Sequence, residues 1–384
     1  MTVPAAAALP TTLIFGTAAA ALLSLGGAAL IARHAVRLGL QDHPNARSSH
    51  QRPTPRGGGV AIVVAFLLAL AWCLPAGSFS GWPAWVVLGA GIALALTGLA
   101  DDRHDLGAGT RLAVQAAAVA ALIAAVTAAT MPPIESDAGP LVAATGLPSL
   151  ASWLPAGAPT WLVAAIDLAV LPLALLAGVW WLNLFNFMDG IDGLAAAQAL
   201  FMLLASLLLK LAGTGVDAGA DFGASISAPV DLARLLLAAA VAGFLVLNWP
   251  PARIFLGDAG SLFLGFAILA AAVHDVTLGD MSVWTWLILG AAFHVDATVT
   301  LLRRWLTGQR VATAHRSHLY QRLARRWRGH QPVSLVYCLL DIAWIFPLAL
   351  LAHRQAPWAP VILVIACAPL AVVAWLGGAG LKEQ

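Results

Sequence analysis

Repeated apolar runs of about twenty residues constrain the fold of this chain more than any other feature. Eleven runs cover residues 11–32, 57–76, 82–100, 110–130, 161–182, 192–210, 232–249, 260–274, 282–302, 332–352 and 358–378. Runs of this length cross a bilayer as helices. Charged residues make up only 10% of the chain, whereas soluble domains have about a quarter. The sequence therefore predicts an all-α, polytopic integral membrane protein with about 11 transmembrane helices, forming a single transmembrane domain over residues 1–384.

Arginine and lysine are distributed unevenly between alternate loops. Seventeen of the 20 lie after the first, third, fifth, seventh and ninth runs or in the C-terminal tail, and the other three are Lys210, Arg234 and Arg354. Loops rich in these residues stay on the cytoplasmic side. We therefore expect the N-terminus outside and the C-terminus in the cytoplasm.

A polar stretch between the fifth and sixth runs carries four oxygen-bearing side chains. Asn183, Asn186, Asp189 and Asp192 recur at every third position, which keeps them loosely on one face of a helix. Asp and Asn also favour helix starts, so a simple capping role is the alternative. Four such groups at a membrane boundary favour an oxygen-liking divalent cation such as Mg²⁺.

Four further polar clusters lie in loops predicted on the same cytoplasmic side. They occupy residues near 45–59, 101–111, 253–261 and 303–330, and the outer loops have nothing comparable. We expect these loops and residues 183–194 to converge into one active site that faces the cytoplasm.

The first loop combines basic residues with glycine. One interpretation is that this loop is anchored at the membrane surface by Arg47, His50 and Arg56. The adjoining run Gly57–Gly59 favours another, because glycines at a helix start expose backbone N–H groups to an anion. We therefore predict that this loop binds substrate phosphate.

Three acids stand at the predicted ends of spans. Asp101 and Asp102 end the third span, where carboxylates oppose the helix dipole, so a cation or a proton-transfer role is favoured over a solvated terminus. Asp258 lies alone in a glycine-containing turn before the eighth span. It is either the N-cap of that span or a metal ligand.

The long loop after the ninth span contains two histidines three residues apart. His315 and His318, together with Arg316 and Arg322, form either a solvated loop or a clamp for a diphosphate. Further basic residues of this loop are expected to contact anionic lipid headgroups, namely Arg325, Arg326 and Arg328.

Other polar residues lie within the spans. We expect His294 and Asp296 to pair with each other or to face the site. A structural role is the default for the remainder, His274, Asp275, Asp280, Asp167 and Asp341.

Taken together, these stretches resemble the polyprenyl-phosphate N-acetylhexosamine-1-phosphate transferase superfamily, glycosyltransferase family 4. The resemblance runs from Asn45 to about Arg328 and rests on Asp101-Asp102, residues 183–193 and residues 255–261. It is strongest to bacterial enzymes that initiate O-antigen or related surface glycans, and it therefore implies a location in the bacterial inner (cytoplasmic) membrane. It implies transfer of a sugar 1-phosphate from a UDP-N-acetylhexosamine-type donor to undecaprenyl phosphate, with release of UMP. It also implies dependence on Mg²⁺, with Mn²⁺ as the alternative cation.

The motifs and the resemblance together assign roles to individual residues. The metal ligands would be Asp258 and Asn186. The catalytic residues would be Asp101, Asp102, Asp189, Asp192, His315 and His318. The substrate-binding residues would be Arg47, His50, Arg56, Asn183, Arg316 and Arg322. The other expected partners are membrane lipids; no nucleic acid is expected, and a homodimer is an open alternative to a monomer.

Two departures from the superfamily's patterns bear on the substrate. The peptidoglycan branch has a lysine after its aspartate pair and three consecutive histidines, whereas this chain has Asp105 and the sequence His315-Arg-Ser-His318. They argue against the first alternative function, phospho-N-acetylmuramoyl-pentapeptide transfer. The sugar stays open between N-acetylfucosamine, N-acetylquinovosamine and N-acetylglucosamine.

The alternative from another functional class is a transporter. Transporters place ionisable residues near the membrane midplane, often at broken helices. Here these residues lie at span ends on one predicted face. This arrangement favours an enzyme.

Overall fold

The computed structural model describes residues 8–44, 53–74, 82–130, 159–213, 229–310 and 315–382, and these are almost entirely helical. The helices are α1 (Ala8–Leu38), α2 (Gly59–Cys73), α3 (Trp82–His104), α4 (Ala108–Thr130), α5 (Thr160–Phe187), α6 (Leu194–Gly213), α7 (Pro229–Asn248), α8 (Gly257–Leu278), α9 (Val283–Leu289), α10 (Ala291–Leu306), α11 (Leu319–Arg326), α12 (Gln331–Leu340), α13 (Phe346–Arg354) and α14 (Ala359–Leu376). A π-helical turn, Asp341–Ile345, joins α12 to α13, and a 3₁₀ turn, Ala356–Trp358, precedes α14. The strands found in this part of the chain, β1 (Gln41–Asp42) and β2 (Thr54–Pro55), pair antiparallel.

The eleven predicted runs all fall on helices, and the all-α polytopic architecture is confirmed. Within the described ranges, nine helical segments are long and apolar enough to cross a membrane. Two runs differ from the prediction. The second forms only the 15-residue helix α2, and the ninth is bent by 78° between α9 and α10. The bend follows from the sequence, because Gly290 ends α9 before α10 begins.

Glycines bring α2 and α3 into close contact with the first turn of α8. A Cβ atom on Gly59 would lie 2.1 Å from the Cα atom of Gly260. A Cβ atom on Gly98 would lie 2.3 Å from the main-chain carbonyl of Asp258. Small residues at such crossings let helix backbones approach closely in a membrane. The close approach fixes the position of Asp258 relative to the end of α3.

We expect Gly98→Ala to destabilise the protein, because the new methyl group has to displace the backbone of α8. Overpacking of this kind costs about 1–3 kcal/mol. Thermal unfolding of the detergent-solubilised protein measures the effect. The matched control on the same helix is Gly89→Ala, whose Cβ atom would have no neighbour within 4 Å. Equal melting temperatures for the two variants would contradict the proposed contact.

An ion network lies at the end of α6, α7 and α8 remote from the polar loops. The Lys210 Nζ atom is 2.9 Å from an oxygen of Asp231 and 3.0 Å from one of Asp280. The guanidinium of Arg234 binds the carboxylate of buried Asp275. Two of the three basic residues predicted on the outer side are thus paired with carboxylates.

The charge asymmetry predicts the orientation of the bundle. Single cysteines at positions 139 and 219 should react with an impermeant reagent added to intact cells, whereas cysteines at Gly107 and Gly308 should not. Gly139 and Gly219 lie outside the described residues, so their placement rests on the sequence. The background would lack the native thiols Cys73, Cys338 and Cys367. Labelling of Gly308→Cys from outside would invert the orientation.

Candidate active site

The turn between α5 and α6 meets the start of α8 through Asn186. The Asn186 Nδ2 atom donates to Asp258 Oδ1 at 2.8 Å and to Ser261 Oγ at 2.9 Å. Asn186 lies in the last turn of α5, and Asp258 and Ser261 lie in the first turns of α8. The structure therefore brings together the two residues predicted to hold the metal.

Asp101 and Arg111 complete this contact from α3 and α4. These helices are joined by residues 105–107, so the last turn of one faces the first turn of the other. The Arg111 guanidinium donates to Asp101 Oδ2 at 2.6 Å and lies 3.9 Å from Asp258 Oδ2. The Asp101 and Asp258 carboxyl groups are also within hydrogen-bonding reach of each other. Two carboxylates this close are stabilised by a positive charge, which Arg111 supplies in part.

Asp102 faces the main chain of α8. Its carboxylate accepts hydrogen bonds from the backbone N–H groups of Asp258 at 3.3 Å and Ala259 at 3.5 Å. A carboxylate at the N-terminus of a helix satisfies free N–H groups and is favoured by the dipole. Arg56 is close enough to interact electrostatically with it. In this structure the buried Asp102 therefore positions the helix that carries Asp258.

Asp189 faces the other carboxylates from the turn that follows α5. Burial, and then the neighbouring carboxylates of Asp258, Asp102 and Asp192, raise the pKa of Asp189 well above its usual value. A group in this environment gains from a cation or a proton at the site. Burial and the neighbouring negative charges therefore favour the protonated form of Asp189.

Asp192 binds neighbouring structural elements. Its carboxylate accepts a hydrogen bond from the backbone N–H of Ala252 at 3.0 Å and lies 3.0 Å from His330 Nδ1. Its backbone carbonyl accepts from Ser334 Oγ at 2.8 Å. These contacts tie the turn to α12 and to the loop before α8. His330 was not among the predicted site residues, and nothing in its surrounding sequence indicated this contact.

His318 is buried where α11 begins. Its side chain is 3% exposed. Its ring lies against the tilted ring of His315, with centroids 4.9 Å apart, and stacks on Tyr320, with centroids 5.7 Å apart. Its Nδ1 atom is 3.8 Å from an Asp296 oxygen. The Tyr320 hydroxyl donates to the carbonyl of Phe187 at 2.8 Å, so α11 touches the end of α5. His318 is thus part of the support for the Asp189 turn.

Asp296 organises the start of α11. Its carboxylate accepts from the backbone N–H groups of Leu319 at 2.8 Å and Tyr320 at 3.0 Å, and from the Tyr337 hydroxyl at 3.0 Å. His294 instead contacts the carbonyl of Leu287 at 2.8 Å. The expectation that His294 and Asp296 pair with each other is therefore wrong, whereas Asp296 does face the loop that carries His318.

His315 lies beside His318 and is held in the neutral form. Burial, followed by the charges of His318 and Arg304, lowers the pKa of His315 from 6.5 to about 3. Its Nδ1 atom lies 3.0 Å from Ser317 Oγ. A neutral imidazole offers one donor and one acceptor, so the cationic clamp proposed from the sequence is not what this environment favours for His315.

The lowered pKa of His315 predicts a pH-dependent stability. The unfolded chain binds a proton at this residue below pH 6.5, whereas the folded chain does so only near pH 3. Folding stability contributed by His315 is therefore present above pH 6.5 and lost as the pH falls towards 3. We expect the melting temperature of His315→Gln to fall less than that of the parent protein when the pH is lowered from 7.5 to 5. Parallel losses in the two proteins would contradict the buried neutral histidine.

The remaining predicted substrate-binding residues are not all gathered at the carboxylates. Arg47 and His50 lie outside the described residues. The Asn183 amide donates to Gln115 on α4 at 2.7 Å, so it joins two helices. Arg322 donates through Nε to the carbonyl of Gly377 at 3.2 Å, at the end of α14. The carbonyl of half-buried Arg316 accepts a hydrogen bond from Arg325.

The glycine run before α2 has a different role from the one predicted. The N–H groups of Gly58 and Gly59 donate to the carbonyls of Phe255 at 2.9 Å and Leu256 at 2.8 Å. They are therefore not available to an anion, and the predicted phosphate nest at Gly57–Gly59 is wrong. The glycines are needed instead because side chains at 58 and 59 would collide with neighbouring residues, among them Phe244 and Gly260.

The donor set fits a hard divalent cation without forming a complete protein cage. No three His, Cys, Asp or Glu side chains in the described ranges converge as a ready metal-binding group. Mg²⁺ commonly uses one or two protein ligands, with substrate phosphates and water completing its octahedron. Asp258 and Asn186 meet that requirement, and the neighbouring Asp101 and Asp189 add the negative charge that attracts a cation.

The structure combines helices long enough to span a membrane with carboxylates that meet at one end of them, an arrangement suited to phosphoryl transfer at the membrane surface. Residues 84–275 match the glycosyl transferase family 4. The chain belongs to this family.

Curated relatives cover most of the chain. The decaprenyl-phosphate N-acetylglucosaminephosphotransferase of Mycolicibacterium smegmatis is 32% identical over 330 residues, which is 80% of this chain and 74% of the relative. The probable undecaprenyl-phosphate N-acetylglucosaminyl 1-phosphate transferase of Bacillus subtilis is 28% identical, over 85% and 81%. The phospho-N-acetylmuramoyl-pentapeptide-transferase of Bifidobacterium animalis is 31% identical, over 74% and 80%. The predicted superfamily is confirmed.

Proposed function

We propose that this enzyme transfers N-acetylhexosamine 1-phosphate from a UDP-sugar to a polyprenyl phosphate such as undecaprenyl phosphate, and releases UMP. The observation that carries the proposal is the contact of Asn186, Asp258, Asp101 and Arg111 at one end of the spans. A site at the end of the spans is open to a water-soluble donor and to an acceptor held in the bilayer.

The proposed reaction exchanges one phosphoanhydride bond for another. An oxygen of the lipid phosphate attacks the phosphorus that carries the sugar. The bond from that phosphorus to the bridging oxygen breaks, and the oxygen leaves with UMP. A phosphate monoester with a second pKa near ~6 is largely dianionic at neutral pH, so attack requires no strong base. Direct attack is therefore favoured over the alternative route through an aspartyl phosphate.

The chain's own residues would position the reactants and balance their charge. Phosphoryl transfer is catalysed mainly by positioning and electrostatic stabilisation. Arg111 offers a forked donor beside Asp101 and Asp258. Asp101, which is hydrogen-bonded to Arg111, would hold or accept the remaining proton of the lipid phosphate. Mg²⁺, held by Asp258 and Asn186, would supply Lewis-acid neutralisation of the diphosphate, with Mn²⁺ as the alternative cation.

The donor is proposed from the relatives. Two of them are named for N-acetylglucosamine phosphate transfer to decaprenyl or undecaprenyl phosphate. UDP-N-acetylglucosamine is therefore the first donor to test, ahead of the N-acetylfucosamine and N-acetylquinovosamine forms. The product would begin an O-antigen or another surface glycan. The basic asymmetry of the loops supports a site that faces the cytoplasm. The bacterial relatives support a location in the bacterial inner membrane.

The second candidate is phospho-N-acetylmuramoyl-pentapeptide transfer. The relative from Bifidobacterium animalis is named for this activity, and its similarity to the chain favours this candidate. Asp105 after the aspartate pair and the separated His315 and His318 oppose it, as the sequence comparison with that branch indicated.

A donor panel tests the proposal. Purified protein, Mg²⁺ and undecaprenyl phosphate are mixed with each UDP-sugar in turn, including UDP-N-acetylmuramoyl-pentapeptide, and UMP is quantified. We expect UMP release with a UDP-N-acetylhexosamine and its absence without the lipid. UMP release with the muramoyl-pentapeptide donor alone would favour the second candidate. Failure to release UMP with any of the donors would reject both candidates.

A further inference from the structure

A large basic cavity lies where α10, α11 and α14 meet. Its volume is about 980 Å³, and four of its lining residues are cationic, namely Arg322, Arg325, Arg326 and Lys382. The other described lining residues are polar or apolar, and none of them is acidic. The cavity shares no residue with the carboxylate cluster of the candidate active site. It therefore attracts an anion independently of the proposed reaction.

Exposed apolar side chains place this cavity at the end of the membrane-spanning helices. Leu306 is 60% exposed and immediately precedes the lining residue Thr307. Leu376 is 79% exposed and immediately precedes the lining residue Gly377. Large apolar side chains exposed at the end of a span face lipid. The basic lining is thus continuous with a surface suited to acyl chains.

Contacts at the end of α14 keep the cavity in shape. The Arg322 Nε atom donates to the Gly377 carbonyl at 3.2 Å. The Arg303 guanidinium lies 4.2 Å from the ring centroid of Trp375 and donates to the Trp375 carbonyl at 2.6 Å. Both cations satisfy carbonyl groups at a helix C-terminus, where positive charge is favoured. These contacts therefore fix the end of α14 that lines the cavity.

We propose that this cavity binds the headgroup of an anionic phospholipid, with the acyl chains lying along Leu306 and Leu376. The headgroup phosphate would be held by charge-assisted hydrogen bonds from the arginines. A water-soluble phosphate compound would match the charge equally but would leave the adjoining apolar surface unused. The combination of a cationic lining and a lipid-facing edge points to a lipid.

The test compares lipid binding by the full-length protein and two double variants. Native mass spectrometry measures retention of phosphatidylglycerol and phosphatidylcholine from mixed detergent micelles. The test variant is Arg326→Gln/Lys382→Gln, and the matched control is Arg33→Gln/Arg37→Gln, which removes two exposed cations from the end of α1. Each lost charge should weaken phosphatidylglycerol binding about fivefold, so the test variant should bind it roughly 25-fold more weakly. Melting temperatures verify that both variants fold.

Several results would overturn the proposal. The first is that the parent protein retains phosphatidylglycerol and phosphatidylcholine equally. The second is that the test and control variants lose phosphatidylglycerol binding to the same extent. The third is that the test variant retains phosphatidylglycerol as well as the parent does. Preferential binding of UDP over phosphatidylglycerol, lost in the same variant, would assign the cavity to a soluble phosphate compound. A salt titration of the parent protein needs no variant, and phosphatidylglycerol binding that does not weaken with salt would also contradict the proposal. None of these measurements requires catalysis, so their outcome is separate from that of the proposed function.

Discussion

Asp258→Asn should lose nearly all turnover while the protein still folds. The carboxylate lies between Asn186 and Arg111 and beside Asp101, so it is the point where α3, α4, α5 and α8 meet. Asparagine keeps the size of the side chain and removes the charge that would hold a cation. Loss of a single group that stabilises a developing charge lowers turnover by about 10²–10³. Initial rates of UMP release across a Mg²⁺ titration measure the effect.

The matched control for this variant is Asp105→Asn. Asp105 is exposed in the short link after α3 and has a φ of 47°, which asparagine adopts readily. We expect near-parental turnover for this control. Near-normal turnover of Asp258→Asn at saturating Mg²⁺ would remove Asp258 from the metal site, because the charge would then be dispensable.

His318→Ala should lower turnover by about ten- to a hundredfold, as expected when roughly 1.4–2.7 kcal/mol of transition-state stabilisation is lost. The physical reason is the position of the ring, which is buried among His315, Tyr320 and Asp296 at the start of α11. Removing it leaves a cavity beside the helix whose Tyr320 holds the end of α5. Steady-state kinetics with varied UDP-sugar separate a change in kcat from a change in KM.

His43→Ala is the control for the histidine variant, because His43 is exposed in the loop after β1. It should match the parent protein. A rise in KM alone for His318→Ala would instead favour direct contact with the UDP-sugar. Parental kinetics for His318→Ala would show that the loop before α11 does not support the site.

The helical fold could be read from the sequence because length and polarity alone identify a membrane span. Helix breaks are harder to predict. The run at 282–302 is apolar throughout, yet Ser282 caps one helix and Gly290 ends it, so the run divides into α9 and α10. The length of α2 is likewise overestimated from the sequence, because apolar residues continue beyond Cys73, where the helix ends.

The acidic part of the site could be predicted because carboxylates are costly at a membrane boundary unless something compensates them. Asn186 and Asp258, 72 positions apart, are hydrogen-bonded. The roles of the glycines could not be read in the same way. A run such as Gly57–Gly59 suits an anion nest and a close helix crossing equally. The hydrogen bonds of the Gly58 and Gly59 N–H groups and the close contact with Gly260 distinguish them.

Residues that support the site through contacts with other side chains are the hardest to predict from the sequence. The sequence identifies Arg111 only as one of the cytoplasmic basic residues. Its place at the start of α4 opposite Asp101 follows once α3 and α4 are known to be joined by a short link. His330 contacts Asp192 from 138 positions away, and its spacing from other polar residues shows no pattern. Pairings of this kind depend on tertiary packing.

The most direct test of the central claim follows the phosphorus atom next to the sugar. UDP-N-acetylglucosamine labelled at that phosphorus is incubated with the purified protein, Mg²⁺ and undecaprenyl phosphate, and the lipid product is isolated and analysed by mass spectrometry. Other UDP-N-acetylhexosamines are tested in parallel. We expect the label to enter the lipid together with the sugar and UMP to be the released nucleotide. Transfer of the sugar without the labelled phosphorus, with release of UDP, would contradict it.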